Sequence, residues 1–246
     1  MSVYSYLVDL VSRGKVHLTL IDPDKQSPED SGIIAGIAEE CGTDGIMVGG
    51  STGLTMELVD KTIERIKENV SVPVIIFPSG AEYLSGKADA IFFMSFLNST
   101  LRRFLIEEQV EGAIYVKKLG LEAIPMGYIV VEPGMTVGKV GKAELIRRDD
   151  YITAVKYSLA AQYLGMKLVY LEAGSGAPQP VPEGMVSEVR KNIDIPLIVG
   201  GGIRDGENAR KIAKAGADII VTGTVVEESK DIEKKLRSII LALKSA

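Results

Sequence analysis

A single (β/α)8 barrel is the fold class this sequence predicts. Eight short apolar runs, most ending in small or acidic residues, alternate strictly with helical stretches. Such alternation calls for a parallel sheet. The chain has 246 residues, a length one barrel of this kind commonly occupies, whereas an open dinucleotide-binding sheet would carry a G-x-G-x-x-G turn that is nowhere present. Residues 1–246 are therefore read as one domain.

The elements follow in order. Residues 17–22 form the first strand, and a helix opens near Pro28. Residues 45–51 form the second, followed by a helix over 55–69 with Glu64 and Glu68 on its polar side. Residues 73–78 are the third. Only residues 79–89, with two glycines, then precede the fourth at 90–97. That segment is too short and too glycine-rich for a full helix, so a loop or short turn is expected in place of the third helix. A helix over 101–118 and a strand over 123–132 come next.

Residues 133–146 break the pattern. Their β-type residues are punctuated by Gly134, Gly138 and Gly141, which predicts a loop with a small hairpin, a candidate lid over one barrel end. Gly-x-x-x-Gly-Lys-Val within it is one residue short of a P-loop and lacks the Ser/Thr, so that reading is rejected. A helix over 149–165, a strand over 167–172, a helix over 182–192, a strand over 196–203, a helix over 205–215, a strand over 218–225 and a helix over 231–245 complete the count.

Composition narrows the chemistry. The net charge is -5 and the pI about 5.2, with no Lys/Arg block, so nucleic acid is not an expected partner. No apolar run approaches the roughly 20 residues of a membrane span, and residues 1–9 lack the basic start of a signal peptide. A soluble cytoplasmic protein is expected. With one Cys and one His, a cysteine-based metal cluster is excluded. Cys41, before Gly42, is read as a small core residue and His17 as structural packing. A general acid or base must then be a carboxylate, Tyr or Lys, and a metal would prefer oxygen ligands, which points to Mg²⁺.

In a barrel the chemistry lies at the C-terminal strand ends. The sixth strand runs into Tyr170-Leu-Glu-Ala-Gly-Ser-Gly176. Alternation puts Leu168, Tyr170 and Glu172 on one face and Val169 and Leu171 on the other. A carboxylate on a buried strand is costly unless it has partners or a task. Gly201 and Gly202 after strand seven, with Gly223 and Thr224 after strand eight, stand where barrels often hold phosphate, and Ser175 can add a hydroxyl. The bland alternative is that these glycines only make tight turns. Asp22, on the Leu20 face of strand one, and Ser51 can share a Mg²⁺ shell. Asp22 and Asp24 equally suit turn capping, and spacing does not separate the two. Ile75, Phe77, residues 91–96, Met126 and Tyr128 make the middle strands richest in aromatic and Met side chains; most must be core.

These stretches together resemble the archaeal geranylgeranylglyceryl phosphate synthases and the related bacterial heptaprenylglyceryl phosphate synthases. The likeness is carried by residues 17–24, 45–51, 92–100, 125–133, 170–176, 199–203 and 222–224. It implies a Mg²⁺-dependent prenyltransferase that joins geranylgeranyl diphosphate to the C3 hydroxyl of sn-glycerol 1-phosphate, on a barrel whose third helix is missing. It implies Asp22 and Ser51 as the metal site. Glycerol phosphate would be bound by Tyr170, Leu171, Glu172, Ala173, Gly174, Ser175 and Gly176, with Gly201, Gly202, Gly223 and Thr224. Glu172 would orient or deprotonate the hydroxyl, and the middle strands would line a prenyl groove. Phe104 is the nearest equivalent here to a Trp that limits tunnel length in some relatives. A homo-oligomer is implied, with at most transient membrane contact. The alternatives are a heptaprenyl-specific enzyme and a flavin or sugar-phosphate barrel.

Overall fold

The computed structural model describes residues 1–50, 54–223 and 231–246. Its eight strands are β1 (Val16–Ile21), β2 (Gly45–Val48), β3 (Val74–Ile76), β4 (Ala90–Phe96), β5 (Glu122–Val130), β6 (Leu168–Glu172), β7 (Leu197–Gly200) and β8 (Ile219–Thr222). They close into a parallel barrel in sequence order, with β8 returning to β1 through Val16↔Ile219 and Thr19↔Thr222. The barrel expected from the sequence is present.

Both faces of most strands are covered, which is why they read as apolar runs rather than alternating ones. Leu18, Met47, Phe92, Met126, Tyr170 and Ile198 fill the interior. Ile21, Ile46, Ile91, Val169, Leu171 and Val199 meet the helices outside. The helices after the first are α2 (Pro28–Glu40), α3 (Met56–Lys67), α4 (Glu108–Leu119), α5 (Met135–Val140), α6 (Tyr151–Tyr163), α7 (Glu183–Asn192), α8 (Gly206–Ala215) and α9 (Ile232–Lys244). Most start where a short polar side chain caps a free N–H. Ser27 accepts from Asp30 at 3.1 Å, Asp150 from Thr153 at 3.1 Å and Asp205 from Asn208 at 2.8 Å.

The crossover from β3 to β4 holds only a single 3₁₀ turn, Ala81–Tyr83, as the short segment predicted. The outer face of β3 and β4 thus lacks the helix that covers every other pair. The helix expected over 101–118 is real but opens as a π-helical turn, Arg103–Glu107. Side chains take up carbonyls of that turn: Ser95 donates to Leu105 O at 2.6 Å, and Gln109 to Phe104 O at 3.3 Å.

Two readings need correction. Residues 133–146 are not a loop with a hairpin: Met135–Val140 form α5. Gly134, Gly138 and Gly141 stand at i, i+4 and i+7, one side of a helix. That side lies so close to its neighbours that a Cβ on Gly138 would sit 3.0 Å from Leu145 and one on Gly141 would overlap the Phe96 ring. Gly138 and Gly141 make close packing rather than turns, whereas Gly134 takes the left-handed conformation, φ +69°, that starts the helix. The second omission is α1 (Val3–Arg13). Val3 and Leu7 bury into the barrel interior, while Glu122 at the start of β5 accepts the N–H of Val3 at 2.5 Å and of Tyr4 at 3.0 Å. The helix therefore sits at the amino-terminal end of the strands, opposite the candidate site.

His17 and Cys41 are structural, as expected. His17 is buried, with Nδ1 2.9 Å from Thr43 Oγ1 and Nε2 3.0 Å from Thr222 Oγ1. Burial, aided by Lys244, lowers its pKa to about 3, so the ring stays neutral. Cys41 caps α2 in the core.

Candidate active site at the carboxyl ends of the strands

Glu172 closes β6 on the inward face, in register with Val130 of β5 and Gly200 of β7. Only 7% of it is exposed. Its Oε1 accepts the Gly174 N–H at 2.6 Å, and the Tyr170 and Tyr128 hydroxyls donate to the same carboxylate. Burial raises its pKa to about 7, against the pull of those three donors. Burial and the neighbouring carboxylate push both tyrosines well above 10, so they remain donors. Tyr128 and Tyr170 meet edge to face at 5.1 Å between ring centres, with Phe77 and Phe96 packed against them. The aromatic cluster excludes water beneath Glu172 and fixes its orientation. A carboxylate poised near neutrality, on a rigid strand end, suits proton transfer.

Beside it lies a cavity of about 380 Å³ lined by Tyr170, Glu172, Ser175, Gly201, Gly202, Arg204 and Gly223. Gly201 and Gly202 have φ of +78° and +73°, a conformation that L side chains rarely adopt. A Cβ on Gly201 would come within 2.6 Å of Gly174 N. The two turns can thus bring backbone N–H groups close to an anion. Ser175 is exposed to this cavity. Leu171 and Ala173 do not join it: both are packed among the helices. The Ala173 N–H donates to Gly200 O at 3.1 Å and its carbonyl accepts from Gly134 at 3.0 Å. Ser51 and Thr224 lie outside the described residues. Arg204 is a cation that the sequence reading passed over, although it stands two residues after the triple glycine 200–202. It donates to Gly176 O at 2.8 Å and edges the cavity.

A larger hollow of about 900 Å³ joins Glu172 and Ser175 to Asp22 at the end of β1 and Gly50 at the end of β2, then runs over Phe77, Met94, Phe96 and Phe104 under α5. Asp22 is half-buried. Among the described residues no three His, Cys, Asp or Glu side chains gather as a metal cage. Mg²⁺ does not need one, since it commonly takes one or two carboxylates and fills its octahedron with water and phosphate oxygens. One hard oxygen donor facing a hollow next to an anion cradle therefore fits Mg²⁺ rather than a softer metal.

The hollow continues into an apolar pocket of about 530 Å³ bounded by Ile91, Phe93, Met94, Phe104, Leu84 and Val116. Ile91 and Phe93 point out of the barrel, so this pocket occupies the space left by the missing third helix. The aromatic and Met-rich strands are thus core on one face and channel wall on the other. No helix among the described residues is long and apolar enough to cross a membrane.

Comparison with known proteins agrees with this architecture. The family model described as the PcrB family matches residues 9–243. A geranylgeranylglyceryl phosphate synthase of Thermoplasma volcanium is 53% identical over 245 residues, covering 100% of this chain and 97% of the relative. One of Pyrococcus horikoshii is 56% identical over 232 residues, 94% of this chain and 91% of its own. The crystal structure of (S)-3-O-geranylgeranylglyceryl phosphate synthase from Thermoplasma acidophilum, in complex with its substrate sn-glycerol-1-phosphate, superposes with a TM-score of 0.98, at 50% identity and complete coverage of both chains. A thiamine phosphate pyrophosphorylase from Pyrococcus furiosus, at a TM-score of 0.60 and 16% identity, shares the fold alone.

Proposed function

The chain belongs to the PcrB family, and from that premise we propose that it is a geranylgeranylglyceryl phosphate synthase. It joins geranylgeranyl diphosphate to the C3 hydroxyl of sn-glycerol 1-phosphate and releases diphosphate. The observation that carries the reading is a row of adjoining cavities that share lining residues. At one end stand a carboxylate with a pKa near 7 and a glycine-built anion cradle. At the other lies an apolar channel opened by a missing helix. Few substrates other than a phosphorylated polyol and a prenyl diphosphate need both.

The residues then have these roles. Backbone N–H groups of the Gly201–Gly202 turn, with Ser175, Arg204 and the Gly223 turn, hold the glycerol phosphate. The Tyr170 and Tyr128 hydroxyls keep Glu172 facing the cradle. The glycerol C3 oxygen attacks C1 of the allylic diphosphate; the new ether C–O bond forms as the bond to the diphosphate oxygen breaks. Glu172 accepts the hydroxyl proton. Phe77, Met94 and Phe104 receive the tail and exclude water from the developing allylic cation. Asp22 is the ligand proposed for Mg²⁺, with Ser51 from sequence alone. When bound, Mg²⁺ supplies positive charge to the departing diphosphate.

Self-association, implied by the family resemblance, and a cytoplasmic location, expected from the sequence, belong to the same proposal. Sedimentation of the purified chain reads the first directly. The reaction itself is tested by incubating the protein with Mg²⁺, sn-glycerol 1-phosphate and geranylgeranyl diphosphate. A solvent-extractable phosphorylated ether lipid is the expected product. Its absence, with the protein folded and both substrates intact, would sink the assignment.

A further inference from the structure

Three cavities stand in series on this side of the barrel. The hollow with Asp22 and Glu172 shares Pro78, Ser79, Met94, Phe96 and Phe104 with the apolar pocket, so the two adjoin along a common wall. The apolar pocket shares only Ala81, Leu84 and Glu108 with a third cavity. That third space, about 1110 Å³, is an outer groove between Met56 of α3 and Tyr115 and Leu119 of α4.

The partition between the second and third spaces is a polar clasp. Glu108 opens α4, and Ala81 opens the 3₁₀ turn on the opposite wall. Glu108 Oε2 accepts the Ala81 N–H at 3.0 Å, while its Oε1 pairs with Arg103 Nε of the π turn. Only 19% of the Glu108 side chain is exposed. An otherwise apolar passage thus ends on a held carboxylate. Leu84 fills the wall beside it.

We propose that this clasp is the end stop of the prenyl channel, and that Glu108 thereby determines the longest donor the protein accepts. The proposal rests on the prenyl-transfer reading above and adds its specificity element. A tail that grows past the partition must break a charge-assisted hydrogen bond and leave a carboxylate and an N–H facing hydrocarbon, both costly. A tail that stops short leaves the clasp intact. Beyond the partition, Met56, Tyr115 and Leu119 offer apolar contact, so removal of the clasp opens usable space rather than solvent alone.

The test is a comparison of kcat/KM for C20 and C35 prenyl diphosphates, with sn-glycerol 1-phosphate and Mg²⁺ saturating. The wild type is expected to prefer the C20 donor. Glu108→Ala should raise the C35-to-C20 ratio about tenfold or more, the scale on which apolar pockets discriminate added methylenes. Glu108→Gln keeps an oxygen for the Ala81 N–H and should stay near the wild-type ratio. Arg103→Ala, a change at a side chain 61% exposed, frees one side of the carboxylate and should move the ratio the same way by less; it carries the test if Glu108→Ala does not fold. An unchanged ratio in the folded Ala variants, or an equal fall for every donor, overturns the end stop while leaving the prenyl-transfer reading in place. No product from the wild type with either donor overturns both.

Discussion

Tyr170 and Glu172 stand two residues apart on the inward face of β6, and the tyrosine hydroxyl donates to the carboxylate. The room for that hydroxyl comes from the next strand. A Cβ on Gly200 of β7 would overlap the Tyr170 hydroxyl. Three residues on two strands therefore fix the direction of one carboxylate. Because burial holds its pKa at about 7, Glu172 is ionised enough to accept a proton near neutrality and basic enough to keep it.

Glu172→Gln should retain both substrates and lower kcat. Loss of a general base commonly costs about 10²–10⁴ in rate, and the lower end is expected because a cation-like transition state needs less help from a base. In the wild type kcat should fall as pH drops through about 7. That acid limb should vanish in the Gln variant. Steady-state kinetics across pH decides it; an unchanged kcat with a raised KM would leave Glu172 a positioning group only.

The same carboxylate should leave a mark on stability. Its value is raised from 4.5 to about 7 on folding, so the unfolded chain ionises first and stability is lost as pH rises from about 4.5 to 7, by about 3 kcal/mol. His17 acts in the opposite sense. Its value falls from 6.5 to about 3, so its contribution is lost as pH falls below 6.5. The two slopes oppose each other between about pH 4.5 and 6.5. Subtracting the denaturation free energy of Glu172→Gln from that of the wild type should isolate the carboxylate's slope. A flat difference would contradict the burial of its charge.

Asp22→Asn should keep the barrel, since the side chain is only half-buried at a strand end, and should raise the Mg²⁺ concentration needed for turnover. Loss of one charged ligand interaction corresponds to about 10–100-fold. A Mg²⁺ titration of the rate is the measurement. Normal Mg²⁺ dependence would return Asp22 to turn capping, the alternative that spacing left open.

The anion cradle is best tested at Gly223. Its added Cβ would meet nothing closer than Leu20 at 3.5 Å, so Gly223→Ala should fold normally and intrude only on the cavity. KM for sn-glycerol 1-phosphate should rise roughly tenfold, about 1.4 kcal/mol, with the prenyl diphosphate KM unchanged. Gly202→Val is a poorer probe. A side chain there would come within 2.5 Å of Gln179 backbone at a φ of +73°, so it should lower the melting temperature as well. Equal glycerol phosphate affinity in folded Gly223→Ala would remove the β8 turn from the site.

The parts of this molecule legible in the sequence are those governed by local patterning. The apolar runs, the inward face of Glu172 and the truncated β3–β4 crossover follow from period, burial and length. What escaped depends on who packs against whom. The glycines at 134, 138 and 141 carry the same local signal whether they make turns or a close helix face, and Leu145 and Phe96 decide the matter. Tyr4, Leu7, Leu10 and Val11 do mark an amphipathic α1, but its place under the barrel depends on Glu122, more than a hundred residues away. Ala173 sits within the motif yet turns outward because each strand face takes alternate residues.

The last prediction concerns α5. Gly141 ends it with an ordinary helical φ of -73°, so no backbone strain would attend a side chain there. The obstacle is steric: an added methyl would overlap the Phe96 ring, whose Cδ1 and Cζ would lie at 2.9 Å. Phe96 is 5% exposed and is held edge to face on Tyr128 at 5.2 Å, so the ring cannot yield without moving the cluster beneath Glu172. Gly141→Ala should therefore cost about 1–3 kcal/mol through overpacking, a fall in melting temperature of about 2–12 °C for a chain of this size. Phe96 also lines both the hollow at Glu172 and the apolar pocket. Its displacement should narrow the passage between them and raise KM for the prenyl diphosphate, leaving KM for sn-glycerol 1-phosphate nearly unchanged because the anion cradle lies elsewhere, on β6, β7 and β8. Shortening the obstructing ring should relieve the clash. Combining Gly141→Ala with Phe96→Leu is expected to restore part of the lost prenyl affinity. If the single variant melts lower but binds the prenyl donor as the wild type does, α5 is packing alone and not a wall of the channel.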